Sequence, residues 1–144
     1  MKLYFDSAYI AKCYLNEVDG SGVRELARSA SGLYSSALCV AELACVFHRQ
    51  VREGSIAPSL AAVLRGYFLE DIKNEVWALI PVTDLLLHRV EFLTRNLPVS
   101  CHIRAGDAIH LVSAVELGFE EIWTNDRHLL AAAACVGLKG RSVD

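Results

Sequence analysis

The chain has 144 residues, of which 53% are hydrophobic and 22% charged, and its formal net charge is −3. That length suits one domain, residues 1–144, with a real core, and the composition excludes a disordered or heavily charged adaptor. The slight excess of acid counts against a uniformly basic nucleic-acid-binding face, although acids clustered around metal ions lower the total by themselves.

Residues 2–6 (KLYFD) read as a short buried strand that stops at an acid. Residues 7–17 follow as a helix with Ala8, Ala11, Tyr14 and Leu15 on one side. Gly20 and Gly22 read as punctuation, with a second short helix over 23–30. Leu33-Tyr34-Ser35 is the next strand. Ser36 is placed to cap a long helix over 37–52, closed by Gly54. Pro58 opens a helix to residue 72. Residues 75–82 (EVWALIPV) read as extended, and 83–96 as helical. Gly106 and Asp107 open an apolar helix that Gly118 closes. Residues 121–124 (EIWT) form a strand, 127–136 a small helix, and the tail has room for one more strand. Strands alternating with helices predict an α/β sandwich with a mainly parallel sheet. The apolar runs suit strands buried on both faces.

The five cysteines, Cys13, Cys39, Cys45, Cys101 and Cys135, include no C-x-x-C pair. They read as reduced thiols, most of them in apolar stretches. The start of the chain lacks the apolar region of a signal peptide. No apolar run nears the ~18 residues of a membrane span. The cytoplasm is the expected location.

In open parallel sheets, ligands bind outside the carboxyl ends of the strands. Asp6 ends the first strand, and Asp126 lies just past EIWT. Asp107 stands in the first turn of its helix, and Glu42 in the second turn of a helix that follows a strand. All four are thus expected at one edge of the sheet. Taken singly, Asp6 or Asp126 also fits a cap or turn former, and Glu42 a partner for Arg49 or Arg52. Together they would repel one another unless protons or a cation intervene. An all-oxygen set suits Mg²⁺ or Mn²⁺ rather than zinc. No phosphate-cradling glycine motif is present.

Four segments, FDSAYIAKCYLNE (5–17), SSALCVAEL (35–43), IRAGDAIHLVSA (103–114) and WTNDRHL (123–129), resemble the PIN-domain family, specifically its VapC-type toxins. The resemblance spans essentially the whole chain. It implies a PIN-like three-layer sandwich with a central, mainly parallel sheet between helices. It also implies an Mg²⁺-dependent (or Mn²⁺-dependent) endoribonuclease, with Asp6, Glu42, Asp107 and Asp126 on the four acidic positions. Metal-activated water would attack the RNA phosphodiester in line. Ser7 and Thr124 fall on positions that orient carboxylates or waters, and Thr124 equally suits an ordinary strand residue. Lys12, Arg104, Arg127 and His128 are candidates for RNA phosphate contacts, Lys12 first among them, with a solvated face or an ion pair to an acid as the alternative for each. Arg104 is equally placed to pair with Asp107. His110 reads as a satisfied core histidine, and Tyr4, Tyr9 and Trp123 as core. The resemblance further implies a homodimer and a cognate antitoxin. The apolar faces of residues 7–17 and 37–52 are the expected contacts for these partners. The alternative is a catalytically silent PIN-fold module that acts through a protein partner.

Overall fold

The computed structural model describes residues 1–143. Among these, five short strands alternate with seven helices. The strands are β1 (Lys2–Tyr4), β2 (Gly32–Ser36), β3 (Trp77–Ile80), β4 (Glu121–Trp123) and β5 (Lys139–Arg141). The helices are α1 (Ser7–Tyr14), α2 (Gly20–Ser29), α3 (Leu38–Arg52), α4 (Pro58–Lys73), α5 (Asp84–Arg95), α6 (Ala105–Glu116) and α7 (Arg127–Cys135). Every strand pairing is parallel. β1 pairs with β2, β2 with β3, and β4 with β5. The two groups meet at one bridge between Phe5 and Trp123, where the Asp6 amide donates to the Trp123 carbonyl at 3.2 Å. The strand order is therefore β3-β2-β1-β4-β5.

Side chains alternate across a strand, and β1 shows how both faces of the sheet are covered. Leu3 and Phe5 pack with Tyr9, Ile10, Leu43, Phe47 and Trp77, from α1, α3 and β3. Tyr4 points the other way, into Leu111, Ala114, Leu129 and Ala132 of α6 and α7. The result is the expected three-layer α/β sandwich, with strands apolar on both sides. Tyr4, Tyr9 and Trp123 are all core residues.

The elements differ from expectation mainly at their ends. α2 begins at Gly20, inside the stretch read as punctuation. That glycine permits a close approach, because a Cβ there would stand 3.2 Å from the Lys12 carbonyl oxygen. α1 stops at Tyr14, three residues early, as Leu15 turns extended. α3 starts at Leu38, and the Ser36 hydroxyl accepts the Leu38 amide at 3.1 Å. Gly54 and Gly118 close α3 and α6 at φ values of 75° and 80°, which suit glycine.

The expected partner-facing surfaces need correction. The apolar side chains of residues 7–17 and 37–52, Tyr9, Ile10, Leu15, Leu43 and Phe47 among them, are consumed by the core. Val40 of α3 stays exposed, but most of the exposed apolar side chains lie elsewhere. Leu60, Val63 and Tyr67 share one face of α4, and Leu85 and Phe92 stand on α5. Among the described residues, no helix is long and apolar enough to cross a membrane.

Candidate active site

The carboxyl ends of β1 and β4 lie side by side at the single bridge, and each is followed within three residues by an aspartate that caps the next helix. Asp6 is the N-cap of α1, its Oδ1 accepting the Tyr9 amide at 2.9 Å. Asp126 is the N-cap of α7, its Oδ1 accepting the amides of His128 and Leu129 at 2.8 and 3.4 Å. The capping roles weighed for these two residues are therefore both real. They do not exhaust the carboxylates, because capping uses one oxygen of each; the other accepts from Thr124 in Asp6 and from Arg104 in Asp126.

That groove has a volume of about 520 Å³. Asp6, Glu42, Asp107 and Asp126 all line it, together with Ser7, Cys45, Arg49, Arg104 and His110. Four elements deliver the four acids, one each from the β1–α1 junction, α3, the first turn of α6 and the β4–α7 junction.

The two halves of the groove are held differently. On one side, Thr124 donates to Asp6 Oδ2 at 2.5 Å, and its hydroxyl also accepts the Asp126 amide at 3.0 Å. This one buried hydroxyl ties the first acid to the last. Ser7 donates to Glu42 Oε1 at 2.7 Å, and His110 Nε2 lies 2.8 Å from the same oxygen. Tyr4 OH lies 2.9 Å from His110 Nδ1. A single imidazole tautomer satisfies this chain. With the proton on Nε2, the ring donates to Glu42, while Nδ1 accepts from the tyrosine. On the other side, Arg104 spans Asp107 Oδ2 at 3.2 Å and Asp126 Oδ2 at 2.9 Å.

Burial pushes the Asp6 carboxyl up to about 6, against the pull of His110, Thr124 and the Tyr9 amide. Burial works the same way on Glu42. There the hydrogen bonds from His110 and Ser7 outweigh it and hold the carboxyl below its ordinary range.

A buried acid with a raised pKa beside three more carboxylates is a site short of positive charge. The oxygen-only donor set fits a hard divalent cation. Among the described residues, no three such groups are gathered tightly enough to enclose an ion as the side chains stand. Glu42 is turned to His110 and Ser7, and Arg104 holds Asp107 and Asp126.

Two residues depart from their expected roles. Lys12 is not a free phosphate contact. It is 6% exposed, and its ammonium is held by Glu17 at 3.0 Å and Asp19 at 2.6 Å. Burial opposes its charge, but these carboxylates outweigh burial and keep its pKa above the ordinary lysine value. Lys12→Ala is expected to cost about 1–2 kcal/mol of stability, since one partner of a part-buried network is lost. It should leave the salt dependence of RNA binding unchanged. A shallower salt slope in filter binding would restore Lys12 as a phosphate contact. His110, a satisfied core histidine as expected at 2% exposure, is satisfied by one of the acids. Arg49, weighed only as a partner for Glu42, instead lines the groove with an exposed side chain. Its place seven residues after Glu42, on the same face two turns along, was the available signal. Arg127 and His128 are exposed at the start of α7.

The PIN domain family model matches residues 3–134, and the chain belongs to that family. Among solved structures, it is similar to the Mycobacterium tuberculosis toxin VapC20, described as cleaving the sarcin–ricin loop. The TM-score is 0.68 and the identity 16%, over 90% of this chain and 94% of that one. A search of curated proteins found no match.

Proposed function

We propose that this chain is a metal-dependent endoribonuclease of the VapC type, the toxin of a toxin–antitoxin pair, acting in the cytoplasm. The observation that carries the reading is the gathering of four carboxylates, from four separate elements, along one groove at the carboxyl ends of the strands. Membership of the PIN family and the likeness to a toxin described as cleaving the sarcin–ricin loop support it.

Asp6, Glu42, Asp107 and Asp126 would hold Mg²⁺ or Mn²⁺. When bound, such an ion supplies positive charge to the phosphate and makes a water more acidic. The chain's own residues do the rest. Thr124 and the Tyr9 amide fix Asp6. Ser7 and His110 fix Glu42. The helix α7 amides fix Asp126. Such outer partners set the orientation of ligands and hence metal affinity. Arg49, Arg104 and Arg127 supply donors for phosphates along the strand. No covalent nucleophile is required, and burial pushes the Cys13 thiol up to about 12, far from a reactive thiolate. A homodimer and a cognate antitoxin complete the reading, and the exposed apolar face of α4 is the surface offered to such a partner.

The test is cleavage of total RNA by the pure protein with Mg²⁺, Mn²⁺ or EDTA, beside Asp107→Asn. Discrete fragments are expected only with metal. The variant should lose roughly 100-fold or more in rate while keeping its fold. Intact RNA under every condition would favour the silent binding module, and unchanged cleavage in the variant would remove Asp107 from the chemistry.

A further inference from the structure

Among the described residues, Arg104 is the one that joins the two acids on the open side of the groove. Its guanidinium uses Nε on Asp107 and Nη2 on Asp126. The three side chains are unequally placed. That of Arg104 is 70% exposed, while those of Asp107 and Asp126 are 14% and 28% exposed. The carboxylates thus belong to the protein wall, and the cation lies on them from the solvent side.

The oxygens involved matter. Asp126 Oδ1 is committed to the α7 amides, so Oδ2 is its free oxygen, and Arg104 holds it. Asp107 Oδ2 is likewise held by Arg104. A cation that took these oxygens would meet a guanidinium already there. The Asp6–Glu42 side has no such occupant. Its hydrogen bonds come from Thr124, Ser7, His110 and a backbone amide.

We propose that Arg104 is a built-in counterion, which occupies the Asp107–Asp126 half of the groove and is displaced when a divalent cation binds there. The proposal rests on the metal-site reading above. Arginine in this place bridges two neighbouring carboxylates without metal, and so positions the ligands. The same contact lowers the apparent affinity for the ion. Exposed pairs are weak, so the exchange is easy. Displacement moves the side chain only towards water, and its tether at the N-cap of α6 keeps it at the mouth of the groove.

The experiment is calorimetric titration of the full chain with Mn²⁺, without RNA, comparing wild type, Arg104→Gln and Arg104→Lys. Melting curves in EDTA check folding. Arg104→Gln is expected to bind Mn²⁺ roughly 3–30-fold more tightly, as removal of two exposed charge pairs implies. Arg104→Lys, which keeps the charge without the two-pronged reach, should fall between. Equal or weaker binding by Arg104→Gln, with binding retained in wild type, would mean that Arg104 orients the acids rather than competing for them, and would overturn the proposal alone. Absence of Mn²⁺ binding in all three proteins would overturn the proposal and the metal-site reading together.

Discussion

Asp6→Asn is expected to melt higher than the natural chain and to cleave nothing. The two effects have one origin. Burial pushes the Asp6 carboxyl from 3.8 up to about 6, so at neutral pH the metal-free fold holds a charge that the unfolded chain carries more easily. A difference of about two pKa units corresponds to roughly 3 kcal/mol. Asparagine keeps the helix cap, still accepts the Tyr9 amide and carries no charge. The sign follows from proton binding. Between about pH 4 and 6 the folded state holds a proton that the unfolded state has released, so this residue's penalty grows as pH rises through that window. The advantage of Asp6→Asn should be absent near pH 4 and full above pH 6. Melting in EDTA at pH 7.5 should show a gain of about 5–10 °C. An equal or lower melting temperature at pH 7.5 would mean that Asp6 is not strained by its surroundings.

The opposite outcome is expected at His110. His110→Leu removes the one group between Tyr4 and Glu42. The Tyr4 hydroxyl is fully buried and loses its bond to the imidazole, with only the Ser113 and Ser35 hydroxyls beside it, and Glu42 keeps only Ser7. Weakening the pairing of a buried hydroxyl and a part-buried carboxylate together costs about 2–4 kcal/mol. Cleavage should also fall roughly 10–100-fold, because Glu42 is no longer held in place. A double-mutant cycle separates this network from simple loss of packing. Tyr4→Phe should cost about 1 kcal/mol in the natural background and almost nothing beside His110→Leu. Additive costs would show that the imidazole and the phenol act independently.

The sequence carried the architecture because its signals were local. Apolar strands that stop at an acid, helices that open on a cap, and Gly54 and Gly118 after their helices are readable within a few residues. The same logic brought Asp6, Glu42, Asp107 and Asp126 towards one edge, since each follows a strand or opens a helix. What escaped were facts about partners. Glu42 could be weighed against Arg49 and Arg52 nearby, but its actual partner, His110, lies 68 residues away. Half of the Arg104 contact was visible, as Asp107 follows three residues later. Its other half, with Asp126, spans 22 residues and depends on how α7 is placed. Lys12 misled because its helix ends early. The chain then turns back and brings Glu17 and Asp19 onto its ammonium, while Gly20 lets α2 pack against its carbonyl.

The single bridge between Phe5 and Trp123 divides the sheet unevenly. On one side stand three strands, and on the other β4, α7 and β5 form a late unit that brings one acid of its own. Asp126 travels with that unit, while Asp6, Glu42 and Asp107 belong to the rest. The backbone joint is a single bridge, and Thr124 serves as its latch, gripping Asp6 with the hydroxyl that also accepts the Asp126 amide. Changes that loosen the joint would therefore throw the acids out of alignment even while the shared core around Tyr4, Leu111 and Leu129 held the two parts together. The chain's tolerance for such changes is set by the alignment of acids that the joint must keep.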